Sequence, residues 1–307
     1  MGEELWHSFG GHRMRYLRLG PSTELHPQRT PLVLIHGLLG YSFSWRHNLE
    51  VLAHAREVYA VDLLGIGYSD RPHSGTVDMG LHATAGRLLD WLKALGLRNV
   101  DLLGTSHGGA VAMMMAALER ENGSSAAVGR LVLAAPANPW SHLGATRIAF
   151  LGSSFGRWMT GLSPLRLQRG LRAARSVALS RMYGDPKKVT AETLNGYGRM
   201  IDLPGTIEYA LEVVGSWKHD MRDLKSRFHV LANVPALLLW GSLDRAVAPE
   251  SAHQLAANLK AKLIVMNGIG HMPYEEAPEA FNRLVLDFLD GGDSPAVGSS
   301  PGAPNSD

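Results

Sequence analysis

The chain has 307 residues, 45% of them hydrophobic and 19% charged, with a formal net charge of +2 and no cysteine. The charged fraction lies below the usual ~25%, so a large core can form, and disorder, collagen or coiled coil is excluded as the dominant state. A near-neutral balance without a long Lys/Arg run argues against a nucleic-acid partner. The missing thiols exclude a disulfide scaffold, a cysteine nucleophile and a thiolate metal site.

The chain opens MGEELWHSFGGHRMRYLRLG, with no basic start followed by an apolar h-region, so no secretory signal is visible. No uncharged apolar run is long enough to span a bilayer. A soluble, cytoplasmic protein is expected.

Segments 5–9 and 12–19, joined at Gly10-Gly11, predict an antiparallel hairpin. Apolar runs follow at 31–36, 57–62, 99–104, 130–136, 235–240 and 261–266. They show little alternation, as expected for parallel strands covered on both faces. Between them Leu88, Leu89, Leu92 and Leu95 recur at helical spacing, as do Phe281, Leu284, Val285 and Phe288. This alternation predicts an α/β fold with a doubly wound, mostly parallel twisted sheet flanked by helices.

Between about 139 and 230 the rhythm breaks: helical stretches follow one another without a convincing strand, carrying 14 Lys+Arg against 7 Asp+Glu. Residues 139–230 are therefore read as an inserted helical cap, with 1–138 and 231–290 forming the core. Residues 291–307 hold no large apolar side chain except Val297 and are expected to be a disordered tail.

Gly104-Thr105-Ser106-His107-Gly108 follows the strand run NVDLL and opens a helical run, GAVAMMMAALE. A serine at such a turn sits in strained backbone with its hydroxyl pushed out of the sheet, and flanking glycines relieve crowding. The helix N-terminus adds positive potential there. Ser106 is thus a candidate nucleophile; the plainer alternative is a structural Gly-rich turn. A serine nucleophile needs a base, and the base an orienting carboxylate. His271 lies in Gly268-Ile269-Gly270-His271-Met272-Pro273 after the last strand, and Asp244 follows the strand PALLLWG. Ligands in open α/β sheets bind at the carboxyl ends of strands, and the order Ser, Asp, His is the one expected for a nucleophile elbow. Singly, His271 could be an ordinary surface-loop histidine and Asp244 a cap for a helix near Pro249; jointly they make a triad. Two donors should face the developing oxyanion: the backbone N–H of His107 and that of Leu38 in His36-Gly37-Leu38-Leu39-Gly40. His36 is read as holding that loop. Neither a metal nor an organic cofactor is required.

Taken together these motifs resemble the α/β-hydrolase fold family. His36-Gly37 resembles its oxyanion loop, and residues 62–72 (DLLGIGYSDRP) resemble its D-x-x-G-x-G-x-S-x-x-P loop. Residues 240–249 (WGSLDRAVAP) look like its acid loop and 270–279 (GHMPYEEAPE) like its histidine loop, so the likeness spans about residues 5–290. Haloalkane dehalogenases and epoxide hydrolases of this fold carry an aspartate where Ser106 stands, which disfavours both. Where some relatives place the acid after the preceding strand, this chain reads Ala135-Pro136-Ala137-Asn138, leaving the role to Asp244. The short oxyanion loop resembles the esterase, perhydrolase and C–C hydrolase type. The elbow differs from the Gly-Gly-Ser-Trp-Gly of proline iminopeptidases.

The resemblance implies a serine hydrolase acting on carboxylic esters of small to medium acyl chains through an acyl-enzyme. Alternatives are a C–C bond hydrolase of the meta-cleavage-product type, a perhydrolase or lipase, and a weakly catalytic small-molecule receptor, since fold does not fix function. The expected partner is a small-molecule ester, and the expected state a monomer or dimer. Residues 147–182 mix Phe150, Phe155, Trp158, Met159 and several leucines with seven arginines. Their apolar side could roof an acyl pocket while arginine stems cover apolar surface. They could instead rest on an anionic lipid surface, or one arginine could grip a substrate carboxylate; the sequence nominates none. Gly161, Pro164, Gly170 and Gly184 mark bends or helix boundaries. Met113, Met114 and Met115 are expected in the core. Loop position makes Trp45 and Tyr274 pocket-rim candidates, with structural packing as the alternative.

Overall fold

The computed structural model describes residues 2–21, 29–123, 128–141 and 163–291. The cap residues Phe150, Phe155, Trp158, Met159 and Gly161, and the tail beyond Gly291, lie outside them.

Strands β1 (Glu3–Phe9) and β2 (His12–Leu19) form the expected hairpin, with Phe9 opposite His12. The remaining strands are β3 (Leu32–Ile35), β4 (Val58–Val61), β5 (Val100–Thr105), β6 (Val128–Ala134), β7 (Ala236–Gly241) and β8 (Lys262–Met266). Each falls on a predicted apolar run, with ends shifted by a residue or two. The eight strands order as β1-β2-β4-β3-β5-β6-β7-β8. Only the β1–β2 and β2–β4 pairings are antiparallel.

Successive strand residues point to opposite faces, and both faces of this sheet are covered. One face presents Val33, Ile35, Val61, Leu131, Leu133 and Leu238 to one hydrophobic cluster. The other presents Leu32, Leu34, Ala60, Val132, Leu237 and Leu239 to a second. Burial on both sides explains why these runs lack polar alternation.

Before β6 the chain forms helices α1 (Leu49–Leu52), α2 (Leu81–Ala94) and α3 (His107–Glu121). Between β6 and β7 the described residues form α4 (Pro164–Met182), α5 (Ala191–Asp202), α6 (Thr206–Ser226) and α7 (Phe228–Leu231), and no strand. After β7 come α8 (Glu250–Leu259), α9 (Pro273–Glu276) and α10 (Pro278–Leu289). Leu88 and Leu92 of α2, Met113 to Met115 of α3 and Leu255 of α8 fill the first cluster. Leu52 of α1 with Phe281 and Val285 of α10 fill the second. All three methionines are fully buried, as expected.

The inserted helices are not uniform. Helix α4 buries none of its residues and leaves Leu165 and Val177 exposed. By contrast Met221 and Leu224 of α6, with Phe228 and Leu231 of α7, sit in the first core cluster. Pro164 opens α4, where Ser163 Oγ accepts the Arg166 amide; Gly170 lies inside the helix and Gly184 just past its end. No helix among the described residues is long and apolar enough to cross a membrane.

Asp62, at the end of β4, ties the neighbouring loops. Its Oδ1 accepts the Ser42 amide at 2.7 Å, and its Oδ2 accepts the Tyr68 amide at 2.9 Å and Arg15 Nη1 at 3.1 Å. The aspartate is completely buried, so these donors replace the water its charge has lost.

Candidate active site

Ser106 stands between β5 and α3 with φ 50° and ψ −119°. Such backbone costs about 1–3 kcal/mol and persists only where its surroundings impose it. Here the Ser106 amide donates to Ala134 O at 3.0 Å, and its carbonyl accepts the Ala137 amide at 2.9 Å, which pins the turn to the end of β6. A Cβ on Gly104 would lie 2.3 Å from Gly108 O, and one on Gly108 would lie 2.2 Å from Ile35 O. Glycine at both positions therefore lets β5, α3 and β3 close around the serine. The first amides of α3 have no partner within the helix, so its positive end faces the same space.

The base and acid candidates meet directly. His271 Nδ1 lies 2.8 Å from Asp244 Oδ2. The other carboxylate oxygen, Oδ1, accepts the amides of Ala246 at 2.8 Å and Val247 at 2.9 Å. A carboxylate only accepts, so a neutral imidazole here donates from Nδ1 and keeps its lone pair on Nε2. The alternative of Asp244 as a helix cap does not hold: Pro249 occupies the N-cap of α8 and Asp244 is committed to its own turn and to His271.

His36 is fully buried, and its Nε2 accepts the Leu63 amide at 3.0 Å while Nδ1 donates to Gly37 O at 2.8 Å. That neutral tautomer holds the loop bearing Leu38, and burial lowers its pKa. The loop passes close to the elbow, since a Cβ on Gly37 would lie 3.1 Å from the Ser106 Cβ. The His107 imidazole is likewise buried, and burial with His36 nearby lowers its pKa to about 4. It is neutral at ordinary pH, and neither ring nitrogen has a hydrogen-bond partner among the described residues.

Ser106, His271, Leu38 and His107 all line one cavity of about 390 Å³, within the range that holds small molecules. Its opposite wall comes from the inserted helices: Leu171, Arg175 and Leu179 of α4, Ile201 of α5, and Val214 and Trp217 of α6. Among the described residues, no group of three or more His, Asp or Glu side chains could hold a metal ion.

Two rim candidates separate. Tyr274 is buried and lines the cavity. Trp45 takes the packing alternative: it is fully buried in the second core cluster, its ring 4.9 Å from that of Tyr274. Its loop position suggested a rim, but the loop folds inward and the indole fills space beneath the site. Sequence reasoning also left Arg175, Glu275 and Glu276 without a role. The histidine-loop motif contains both glutamates, yet nothing in it says which elements they meet.

The model of the alpha/beta hydrolase fold matches residues 30–278. The uncharacterised hydrolase YugF of Bacillus subtilis (strain 168) is 27% identical over 268 residues, covering 86% of this chain and 91% of its own. A solved α/β hydrolase fold protein from Burkholderia ambifaria is 25% identical with a TM-score of 0.74, covering 94% of this chain and 100% of that one. The epoxide hydrolase CorEH shares the fold at 21% identity and a TM-score of 0.75, covering 95% and 99%. With the sheet order, the serine elbow and the family match in agreement, this chain belongs to the α/β hydrolase fold family.

Proposed function

We propose that the protein is a serine hydrolase of carboxylic esters with small to medium acyl chains, the inserted helices acting as its cap. The reading rests chiefly on the 2.8 Å contact between His271 Nδ1 and Asp244 Oδ2 beside a cavity that also holds Ser106. In this mechanism His271 Nε2 takes the Ser106 proton as Oγ attacks the ester carbonyl. The amides of Leu38 and His107 donate to the resulting oxyanion. Asp244 keeps the imidazole in the required tautomer and stabilises its protonated form. His271 then protonates the departing alcohol, and water attacks the acyl-enzyme with the same residue as base. The apolar wall of Leu171, Leu179, Ile201 and Val214 suits an acyl chain. An aryl phosphonate should add once, to Ser106, with loss of p-nitrophenyl butyrate turnover, as read by peptide mass spectrometry. Labelling elsewhere, or full activity after labelling, would remove the reading.

A second reading, an acidic substrate, is favoured by Arg175. Among the described lining residues it is the one Lys, Arg, Asp or Glu. A Cβ on Gly198 would lie 3.2 Å from its Nη1, so the guanidinium packs along α5. No ion pair joins it to a carboxylate among the described residues. A carboxylate on the acyl part, as in a dicarboxylate half-ester or an acidic C–C substrate, would supply that partner. A charge-assisted hydrogen bond contributes about 1.5–3 kcal/mol. Arg175→Gln should therefore cut kcat/KM for an aryl half-ester by about 10- to 150-fold, leaving the neutral ester nearly unchanged. A wild type that prefers the neutral ester would leave the simple esterase reading alone.

A further inference from the structure

Glu276, the last residue of α9, is buried, yet no salt bridge reaches its carboxylate among the described residues. Backbone amides satisfy it instead. Oε2 accepts from Gly184 at 2.9 Å and from Gly270 at 2.7 Å, while Oε1 accepts from Asp185 at 2.8 Å. Gly184 and Asp185 follow the end of α4, and Gly270 immediately precedes His271. One carboxylate thus joins the exit of a cavity-lining helix to the loop carrying the base candidate.

Further contacts reinforce that seam. The His271 amide donates to Met182 O at 2.6 Å, and Met182 itself lines the cavity. The two segments touch backbone to backbone, for a Cβ on Gly184 would lie 2.2 Å from Gly268 O. The adjacent Glu275 grips the same region: Tyr183 Oη donates to it at 2.6 Å and Arg46 forks onto it with two bonds of 2.9 Å. Displacing the end of α4 must therefore displace His271.

We propose that Glu276 is a positioning residue, holding the His271 loop against the end of α4 so that the imidazole meets Ser106 only while that helix is docked. The proposal rests on the reading of His271 as the base. Removing the carboxylate leaves the buried Gly270 amide and the part-buried amides of Gly184 and Asp185 without their acceptor and frees the loop. In Glu276→Gln one oxygen becomes an amino group that opposes an N–H donor, so the lacing opens on one side with little change in volume.

The test compares Glu276→Gln and Glu276→Ala with Lys188→Ala. Lys188 Nζ donates to the Glu276 carbonyl at 2.9 Å, so its loss weakens the same turn without touching the carboxylate. A misplaced catalytic group can cost about a hundredfold in rate. That loss is expected in kcat for Glu276→Ala, with a smaller loss for Gln, little change in KM, and wild-type kcat for Lys188→Ala. The downfield proton NMR signal of the His271–Asp244 hydrogen bond should weaken or shift in both Glu276 variants and persist in Lys188→Ala. A folded Glu276→Gln protein with wild-type kcat and an unchanged signal would overturn the proposal. Should Glu276→Ala fail to fold, the Gln variant carries the comparison. Failure of the hydrolase reading would look different: wild type would turn over no ester and take no phosphonate, while the NMR signal would still report whether Glu276 positions the ring.

Discussion

Ser106→Ala should lower kcat on p-nitrophenyl butyrate by about a millionfold, the scale seen when a nucleophile of this kind is removed. The whole loss should fall on turnover. Alanine keeps the Cβ that the φ of 50° already accommodates, and the pinning bonds to Ala134 and Ala137 come from the Ser106 backbone. Gly104 and Gly108, which allow the close approach around it, are untouched. Thermal unfolding should therefore match or slightly exceed that of the parent chain, since strained functional sites store instability. Steady-state kinetics beside a melting curve checks both halves. Near-parental activity in a folded variant would mean that Ser106 is a structural turn.

Asp244→Asn should lower kcat by about ten thousandfold while keeping the fold. The asparagine carbonyl can still accept the Ala246 and Val247 amides, which hold the turn. Its amino group then faces His271 Nδ1 across the 2.8 Å contact. Two donors cannot share that bond, so the imidazole shifts its proton to Nε2 and can no longer accept one from Ser106. A loss of less than about tenfold would place the orienting acid elsewhere, because removing a true triad aspartate is far costlier. The end of β6 offers no substitute, as Asn138 stands there, bonded through its side chain to Pro136 O and Ser251 Oγ.

Much of the candidate site was legible because the pattern that marks it is local. The elbow needs glycine two residues either side of a serine at a strand end, and Gly104, Ser106 and Gly108 fall within one five-residue stretch. Asp244 and His271 each follow an uninterrupted apolar run, and a parallel sheet delivers all such ends to one edge. Trp45 and the cavity wall were not legible for the opposite reason. Whether a loop indole points outward or fills the core depends on Tyr274, more than two hundred residues away in sequence.

The amino-acid order by itself determined the strand sequence, the helical stretch between β6 and β7, and the candidates for nucleophile, base, acid and oxyanion donors. Each of these is written in short-range periodicity or in a turn that only certain residues permit. The tertiary structure alone decided that Arg175, among the described arginines of α4, lines the cavity, and that two consecutive glutamates of α9 hold the end of α4. An arginine's role is set by what faces it and a buried carboxylate's by which amides reach it. Both arise only when helices distant in sequence pack against the sheet edge.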